Sequence, residues 1–548
     1  MAGFDQTLTP FLWRAEHLYP DREIVSRTHE GLERYTYAEY GDRTRKLANA
    51  LDGAGIETGD RVATFSWNHH RHFETYFGVP NIGAQLHTIN PLLPDEHIQY
   101  IVENAADKLV FVDVSLAEKL AAAYDPDSFA SVEQFVVMGS SVPDLPLEPM
   151  TDYESFIDGH STDYEWPELE GAAAAGLCYT SGTTGKPKGV EYTHQMLWSH
   201  TMAELTPMGL DIDDSDVLMP VVPMFHVNAW GIPFASTAAG AKQVYPGPAP
   251  DPADLAGLVE REGVTVTAGV PTVWLGLLDY IAEHDVDLSS LERVIIGGSA
   301  APKSVIAQFE DLGVEVLHAW GMTETAPIGT VSYLKQDLTD AGPDRRHEKR
   351  GKQGLLVPGL EMRVVDDDAN EVPWNGEDFG ELLIRGPWVT QSYFERPEAD
   401  EASFDGSWLR TGDIVTVDED GYIQIVDRAK DVIKSGGEWI SSVELENTLM
   451  AHDSVAEATV IGVPHERWQE RPVAFVVMDE TAGITQGELQ GDLVEMIRDQ
   501  YPKWWAPDDV VFIDEVPKTA TGKFDKKVLR EEYGDQELIE GKAPESRD

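Results

Sequence analysis

The sequence predicts an α/β protein made of a large N-terminal domain and a smaller α+β C-terminal domain. Through roughly the first 430 residues, short apolar runs alternate with stretches of helical periodicity, the pattern of parallel strands joined by crossover helices. The last 120 or so residues combine helix-start signals with apolar strands. At 548 residues the chain exceeds what one hydrophobic core usually supports. We therefore expect at least two domains.

The first clear helix and strand illustrate the alternation. Thr36 and Glu39 form a capping box, apolar residues follow at helical spacing, and Gly53 ends the helix. "RVATFSW" from Arg61 is then predicted as a buried strand. Further strands are predicted at KLVFVDV, QFVVMG, RVIIGG and VEVLHAW, which begin at Lys108, Gln134, Arg293 and Val314.

The segment between Leu360 and Tyr393 has a different character. "LEMRVVDDDANEVPW" and "GELLIRGPW" are predicted as strands joined by a polar turn, which indicates a β-rich subdomain. The strand-like "GYIQIVD" then gives way to charged, glycine-containing sequence. We place the domain boundary there, with an N-terminal domain at 1–427 and a C-terminal domain at 428–548.

Helix starts and strands are also evident in the C-terminal domain. "VAFVVMD" and "DVVFID" are predicted strands. Capping boxes are predicted at Ser441 with Glu444 and at Thr485 with Glu488.

The charge balance is extreme. The chain has 97 acidic and 41 basic residues, which give a formal net charge of −56 and a sequence pI near 4.4. Because nucleic acid is also negatively charged, we do not expect it as a partner. The acidic residues are spread along the whole chain, as on a solvated globular surface. This composition predicts a halophilic protein, of haloarchaeal type. One basic island, "PDRRHEKRGK" from Pro343, is predicted as an exposed loop, with attraction of substrate phosphates as the alternative.

The sequence contains no apolar stretch of 18 residues, and its first residues lack the pattern of a signal peptide. We therefore expect a cytoplasmic protein. Cys178 is the only cysteine. A single cysteine cannot form an internal disulfide or a cysteine-based metal cage. We expect Cys178 to be a small buried apolar residue.

The segment that most clearly indicates a binding function is "LCYTSGTTGKPKG", from Leu177 to Gly189. Glycines let backbone amides converge on an anion, while hydroxyls add donors and lysines add charge, so the loop predicts phosphate binding. It is not an ordinary P-loop, because that motif needs Gly and Ser or Thr where this chain has Thr180 and Pro187. A flexible surface loop is the alternative.

"YTSGTTGKPKGV" closely resembles the phosphate loop of the acyl-adenylate-forming superfamily of acyl-CoA synthetases, luciferases and peptide-synthetase adenylation domains. "WGMTETAP", "RTGDIVTVDEDGYIQIVDRAKDVIKSGGEWISSVELE" and "PKTATGK" resemble its later motifs in the same order. "VVPMFHVNAWG", "TAGVPTVW", "GGSAAP" and "HERWQERPVAFVV" resemble the branch of medium- and long-chain fatty acyl-CoA synthetases. The resemblance implies a large domain of layered α/β/α subdomains with a β-rich subdomain, and a small domain that moves.

The implied reaction joins a carboxylate to AMP, releases pyrophosphate, and then passes the acyl group to CoA. Two anions must meet, so the site needs fixed cations and donors around the α-phosphate. The resemblance makes Lys523 the lysine that bridges carboxylate and α-phosphate, and Thr180 and Glu324 the ligands of Mg²⁺. His226 would lie beside the nascent acyl phosphate.

The resemblance also assigns ATP-binding residues. Trp320 would stack on adenine, Asp413 would accept the ribose hydroxyls, and Gly298 and Ser299 would lie near adenine and the acyl carbonyl. The remaining nucleotide-binding residues implied by the resemblance are Ser181, Gly182, Thr183, Thr184, Gly185, Lys186, Lys188, His318, Thr323, Arg428, Lys430 and Lys434.

The acid is expected to lack an α-amino group. Amino-acid adenylation domains place an Asp where this chain has His226, and the segments around Val227 are apolar, as suits an alkyl chain. Trp230 either caps the acyl tunnel or fills core space. A peptide-synthetase module is disfavoured because only about 25 residues follow Lys523.

The second half-reaction implies a hinge at Lys430. Rotation of the small domain would withdraw Lys523 and bring Gly436 and Gly437 to a passage for pantetheine. Family analogy also suggests a homodimer. The alternatives left open are a luciferase-like oxygenase, an aryl- or other carboxylic acid–CoA ligase, and a catalytically silent nucleotide-binding protein on the same fold.

Overall fold

The computed structural model describes residues 5–180, 186–435, 438–465, 467–479, 483–518 and 524–533. Their strands and helices form an α/β protein with a large N-terminal and a small C-terminal domain, which confirms the predicted fold class. No helix in these ranges is both long and apolar enough to cross a membrane. Eight predicted site residues lie outside the described residues, namely Ser181, Gly182, Thr183, Thr184, Gly185, Gly436, Gly437 and Lys523.

The described residues form 16 α-helices. They are α1 (Thr9–Leu18), α2 (Tyr37–Gly53), α3 (His70–Gly78), α4 (Asp95–Ala105), α5 (Ala117–Ala123), α6 (Tyr153–Ile157), α7 (His194–Glu204), α8 (Ile232–Ala239), α9 (Pro252–Glu262), α10 (Pro271–Glu283), α11 (Lys303–Asp311), α12 (Pro343–Gly351), α13 (Pro397–Ser403), α14 (Ser442–Met450), α15 (Gln486–Gln500) and α16 (Lys526–Tyr533).

The strands of the same ranges are β1 (Glu23–Thr28), β2 (Gly31–Thr36), β3 (Arg61–Phe65), β4 (Gln85–Thr88), β5 (Leu109–Asp113), β6 (Gln134–Met138), β7 (Met150–Asp152), β8 (Ala174–Tyr179), β9 (Gly189–Thr193), β10 (Val217–Pro220), β11 (Lys242–Tyr245), β12 (Val266–Gly269), β13 (Arg293–Ile296), β14 (Glu315–Gly321), β15 (Ile328–Val331), β16 (Leu355–Leu356), β17 (Glu361–Val365), β18 (Phe379–Arg385), β19 (Phe404–Asp405), β20 (Trp408–Val417), β21 (Ile423–Arg428), β22 (Ile433–Ser435), β23 (Glu438–Ile440), β24 (Val455–His465), β25 (Gln469–Met478) and β26 (Asp509–Phe512).

Two mixed, mainly parallel sheets build most of the large domain. One has the order β7-β6-β5-β3-β4-β8-β9 and the other β16-β15-β14-β13-β12-β10-β11-β1-β2. Their central strands pair in parallel, and antiparallel pairing is confined to the edges. A third, antiparallel sheet orders β17-β18-β20-β19 with β21 on β20, which confirms the predicted β-rich subdomain.

The small domain has its own sheet, β23-β22-β25-β24 with β26 on β25. Helices α14 and α15 pack on it, and their buried leucines and Ile497 join strand residues in a hydrophobic cluster separate from those of the large domain. An independent core is what allows a domain to fold and move as a unit.

The local signals in the sequence hold in most places. Thr36 and Glu39 cap each other at the start of α2, and Thr485 and Glu488 do so at the start of α15. At α14 only half of the predicted capping box forms: Ser441 accepts a hydrogen bond from the amide of Glu444, without the reciprocal bond from the Glu444 side chain. The predicted strands at KLVFVDV, QFVVMG, RVIIGG and VEVLHAW are β5, β6, β13 and β14.

The basic island was predicted as a loop, and this prediction is wrong. Residues 343–351 form α12, with Pro343 at its first turn and Lys349 and Arg350 in its last turn, both favourable positions. Its cations pair with acidic neighbours: Arg350 contacts Glu310 at 2.8 Å, and Lys349 contacts Asp418 at 2.6 Å. Long-range ion pairs, which periodicity does not reveal, stabilise this helix.

The sheets place the predicted site segments after the carboxyl ends of strands. Thr180 follows β8, His226 follows β10, Gly298 follows β13, and Glu324 follows β14. Ligands of open α/β sheets bind outside the carboxyl ends of the strands, where loops from several strands converge.

Candidate active site

The predicted site segments surround one cavity of about 550 Å³. The large domain contributes loops after β8, β10, β13 and β14, and the small domain contributes the residues from Phe524 to Arg530. Twelve of the predicted site residues line it: Thr180, Lys186, Lys188, His226, Val227, Trp230, Gly298, Trp320, Thr323, Glu324, Arg428 and Lys430.

The net charge of the cavity wall is opposite in sign to that of the whole chain. Among the described residues, eight cationic and four acidic side chains line it, whereas the whole chain carries a formal net charge of −56. The cations are Lys186, Lys188, Arg410, Arg428, Lys430, Lys526, Lys527 and Arg530. Clustered cations in a cleft with low-dielectric walls concentrate anions there. The cavity is therefore suited to polyanionic ligands.

The described ends of the phosphate loop are held together. The amide of Thr180 donates to the carbonyl of Lys188 at 2.9 Å, and the amide of Lys188 donates to the Thr180 hydroxyl at 3.1 Å. Burial lowers the pKa of Lys188, and the attraction of Glu324 opposes this shift. Lys186 lies with its ammonium 4.5 Å from the centre of the Tyr100 ring.

Glu324 is buried and lines the same cavity. Its carboxylate Oε1 accepts a 2.6 Å hydrogen bond from the Tyr393 hydroxyl, and the Tyr192 hydroxyl donates to the carbonyl of Thr323 at 2.6 Å. The described residues contain no group of three or more His, Cys, Asp or Glu side chains that could hold a metal ion. Mg²⁺ instead suits a single carboxylate, with a hydroxyl and substrate phosphates completing its shell. Glu324 and Thr180 fit that requirement.

Trp320, Asp413 and Arg428 form one connected unit. The Trp320 indole donates to Oδ2 of Asp413 at 3.0 Å, and Arg428 Nε contacts Oδ1 at 2.9 Å. Asp413 is buried behind the cavity wall, while Trp320 and Arg428 line the cavity. The Trp320 ring packs on Gly329, where an added Cβ would lie 2.4 Å from it. The indole face is thereby fixed where a base can stack.

Apolar side chains form another part of the wall. Val227 and Trp230 lie here with Leu210, Ile295 and Ile328. The backbone is left-handed at four successive non-glycine residues, from Val227 to Trp230, with φ between 45° and 59°. Such strain persists only where the surrounding structure imposes it, and it clusters at functional sites. Trp230 packs on Gly297, where an added Cβ would lie 3.0 Å from the indole.

Besides Asp413, three of the described residues assigned to nucleotide binding are not on the cavity wall. His318 is buried with Nδ1 3.2 Å from the carbonyl oxygen of Gly351, and burial lowers its pKa to about 4. Ser299 is exposed. Lys434 lines a separate cavity of about 150 Å³, 3.3 Å from Asp367.

The structure also adds wall residues that sequence reasoning missed. Tyr393 joins Glu324 to Lys188, whose ammonium lies 3.9 Å from the centre of the Tyr393 ring. Arg410 pairs with Glu381, and both line the cavity. "SYFERP" around Tyr393 carries no composition or spacing that marks a site. Only the contacts of Tyr393 with residues distant in sequence reveal its place in the site. Cys178 is buried, as predicted, and burial raises its pKa to about 11.

Comparison with known families shows the family of the chain. Residues 12–394 match the AMP-binding enzyme family, and residues 444–523 match the AMP-binding enzyme C-terminal domain. The chain belongs to the AMP-binding enzyme family. It is an enzyme of the acid–thiol ligase class, and ATP and CoA are its co-substrates.

Relatives of this AMP-binding enzyme cover nearly its whole length. A long-chain-fatty-acid–CoA ligase of Thermus thermophilus is 46% identical over 97% of this chain and 96% of its own. A 3-methylmercaptopropionyl-CoA ligase of Ruegeria lacuscaerulensis is 42% identical over 95% and 96%, and a medium-chain-fatty-acid–CoA ligase of Ectopseudomonas oleovorans is 43% identical over 94% and 93%. The structure of ATP-bound MatB from Rhodopseudomonas palustris matches with a TM-score of 0.81 and 27% identity, over 97% of this chain and 99% of that one.

Proposed function

We propose that this AMP-binding enzyme activates a medium- or long-chain fatty acid. The acid and ATP give acyl-AMP and pyrophosphate, and the acyl group then passes to CoA with release of AMP. One observation carries the proposal: a single cavity joins a cation-rich wall to an apolar wall. The names of the fatty acid ligases to which the chain is 43–46% identical support the choice of acid.

In this proposal the cation-rich wall holds the triphosphate. The β- and γ-phosphates would be bound by Lys186 and Lys188 and by the loop residues Ser181, Gly182, Thr183, Thr184 and Gly185. Cations and hydroxyls near the end of a strand favour such phosphate binding. Mg²⁺, held by Glu324 and Thr180, would neutralise phosphate charge when bound. Thr323 would support the same segment through its backbone, which Tyr192 fixes.

The nucleoside would lie along Trp320. Its indole would stack on adenine, and Asp413 would accept the ribose hydroxyls because carboxylate oxygens can accept beyond the bonds from Trp320 and Arg428. Gly298 has φ of +82° and no Cβ, so a ligand can approach its backbone closely. Ser299 and His318 would act from outside the described wall, and Arg428 and Lys430 would contact nucleotide.

The acyl chain would lie against Val227, Trp230 and their apolar neighbours, with His226 beside the carboxylate. Lys523 would bridge that carboxylate and the α-phosphate. Its sequence neighbour Phe524 lines the cavity, which supports this assignment. Fixed charges of this kind stabilise charge that develops during phosphoryl transfer.

The second step would use a different arrangement of the domains. We place the boundary at 427/428, with rotation about Lys430, after which Lys434 would contact nucleotide and Gly436 and Gly437 would line the pantetheine passage. The separate hydrophobic core of the small domain supports movement as a unit. A homodimer, a cytoplasmic location and a halophilic, haloarchaeal source complete the proposal; light scattering and cell fractionation test the first two.

The direct test measures exchange of labelled pyrophosphate into ATP in molar KCl. Acids would range from acetate and 3-methylmercaptopropionate to palmitate, with benzoate and cinnamate representing aryl acids. We expect exchange to depend on the acid and to be fastest with aliphatic chains of medium or long length. Fastest exchange with an aryl acid would replace the fatty acid by that class. Absence of exchange with every acid would refute the proposal in favour of a silent nucleotide-binding protein.

A further inference from the structure

A short segment, residues 390–394, connects two parts of the candidate site that are distant in sequence. The amide of Thr390 donates to the carbonyl of Glu324 at 2.9 Å, and the amide of Phe394 donates to the carbonyl of Gly189 at 2.8 Å. Gly189 is the last residue of the phosphate-loop segment. An added Cβ there would lie 3.0 Å from the Phe394 side chain, so the close approach depends on glycine.

Tyr393 makes the same connection with its side chain. It is 5% exposed, and its hydroxyl donates to Oε1 of Glu324 at 2.6 Å. The ammonium of Lys188 lies 3.9 Å from the centre of its ring, within the range of a cation–π contact. Its own amide donates to Oδ1 of Asp400 at 2.7 Å. Tyr393 is therefore held at its hydroxyl, its ring and its backbone amide.

This arrangement leaves one carboxylate oxygen of Glu324 available. A hydroxyl bond to Oε1 restricts the side chain to one orientation, and no described residue donates to Oε2. Groups that hydrogen-bond a metal-binding carboxylate orient it, and their loss typically costs about 10–100-fold in metal affinity. The Tyr393 ring meanwhile contacts the ammonium of Lys188, which lies 3.9 Å from the ring centre.

We propose that Tyr393 is a positioning residue that orients Glu324 toward Mg²⁺ and holds Lys188 beside it before nucleotide arrives. The inference rests on the proposed function, in which Glu324 holds Mg²⁺. Tyr393 acts through these two side chains and does not itself contact the reacting atoms. A purely structural role is the competing explanation, since the ring also packs against Phe404.

Tyr393→Phe separates the two explanations, because it retains the ring and removes only the hydroxyl. The measurement is the affinity of the full-length protein for ATP, without acid or CoA, at a series of Mg²⁺ concentrations in molar KCl; tryptophan fluorescence reports binding because Trp320 lines the cavity. We expect the half-saturating Mg²⁺ concentration to rise about 10–100-fold. Affinity for ATP without Mg²⁺ should be unchanged, and saturating Mg²⁺ should restore wild-type binding.

Tyr422→Phe is the matched control. Tyr422 is also buried, its hydroxyl donates to the carbonyl of Tyr333 at 2.9 Å, and the Lys349 ammonium lies 5.2 Å from its ring centre. Tyr422 does not line the cavity, so we expect the Mg²⁺ dependence of this variant to match the wild type. An equal rise in both variants would overturn the proposal.

Glu324→Gln distinguishes failure of this inference from failure of the function. If the Mg²⁺ dependence of ATP binding is unchanged in Glu324→Gln, Glu324 does not hold Mg²⁺ and this inference is wrong, whereas the proposed function is refuted only by the absence of pyrophosphate exchange. If Glu324→Gln abolishes the dependence but Tyr393→Phe behaves as wild type, only the role of Tyr393 is overturned. The double variant should bind no more weakly than Glu324→Gln alone, because the hydroxyl acts through the carboxylate. A further tenfold loss of ATP affinity in the double variant, relative to Glu324→Gln, would show that the hydroxyl does not act through the carboxylate.

Discussion

At the scale of single residues, burial decides what each polar side chain can do. His194 is buried in the large domain as the neutral form. Its Nδ1 accepts from the amide of Leu8 at 3.3 Å, and its Nε2 donates to the carbonyl of Pro80 at 3.2 Å. Both ring nitrogens are thus satisfied without a charge, and burial lowers its pKa from 6.5 to about 4.

This shift predicts that His194 makes the protein sensitive to mild acid. Between pH 6.5 and 4 the unfolded chain binds a proton at His194 and the folded chain does not, so the free energy of unfolding falls as the pH falls through that window. Replacing His194 with Gln removes this titration. The decrease in the free energy of unfolding with falling pH should then become less steep by about 1.4 kcal/mol per pH unit. Urea unfolding at pH 7, 6 and 5 measures this, and identical slopes for both proteins would contradict it.

Lys523 allows a second prediction for a single residue, based on its proposed role. Lys523→Ala should slow acid-dependent pyrophosphate exchange by about 10²–10³-fold, the usual cost of losing a preorganised donor. Thioester formation from synthetic acyl-AMP and CoA should be retained, because the lysine is withdrawn for that step.

Lys518→Ala is the control, since Lys518 belongs to the same segment but pairs with Glu457 at 2.6 Å. It should leave both half-reactions near wild type. Equal loss of both half-reactions in Lys523→Ala would refute the hinge model.

At the scale of elements, α16 is fastened to the segment around the proposed hinge. Lys526 contacts Oε1 of Glu446 at 2.7 Å and donates to the Ser442 hydroxyl. The Ser442 hydroxyl in turn donates to Oδ2 of Asp427 at 2.6 Å, and Arg530 contacts Asp431 at 2.6 Å. These contacts fix α16 relative to β21 and the residues after it. The helix that follows Lys523 is therefore coupled to the segment about which the small domain would rotate.

Lys526→Met should strongly destabilise this connection. Lys526 and Glu446 expose only 10% and 8% of their side chains, so removal of the cation leaves a buried carboxylate unpaired. Breaking a buried pair in this way costs about 3–5 kcal/mol. Lys527→Met is the matched control, because Lys527 is 57% exposed and pairs with Glu531 only at 3.7 Å, which is worth at most about 1 kcal/mol. Urea unfolding compares the two, and equal midpoints would show that the buried pair does not stabilise the helix.

At the scale of the whole molecule, one anionic chain encloses one cationic cavity. A formal net charge of −56 repels itself across a solvated surface, while the eight cations of the described wall attract phosphates. Salt acts differently on these two features, since it relieves the surface repulsion and also weakens long-range attraction of anions to the cavity.

The composition therefore predicts that folding requires salt. The Debye length falls from about 10 Å at 0.1 M to about 3 Å at 1 M, so molar KCl should raise the melting temperature and restore activity lost on dialysis. Scanning calorimetry from 0.1 to 3 M KCl measures this, with sucrose at matched osmolality as a control that does not screen charge. A melting transition that is the same at low and molar KCl would contradict the halophilic interpretation.

The sequence by itself determined the fold class, strands such as β5, β6, β13 and β14, and the helix starts at Thr36, Ser441 and Thr485, because period, capping and glycine placement act over a few residues. It also determined the ordered motifs that place Thr180, Glu324 and Trp320 on one wall, since loops after parallel strands converge. Tertiary structure alone decided that α12 is a helix held by Glu310 and Asp418, and that Tyr393 joins Glu324 to Lys188. These contacts connect residues 40 to 205 positions apart. Such pairing depends on how packed elements meet in space, and local patterns carry no information about it.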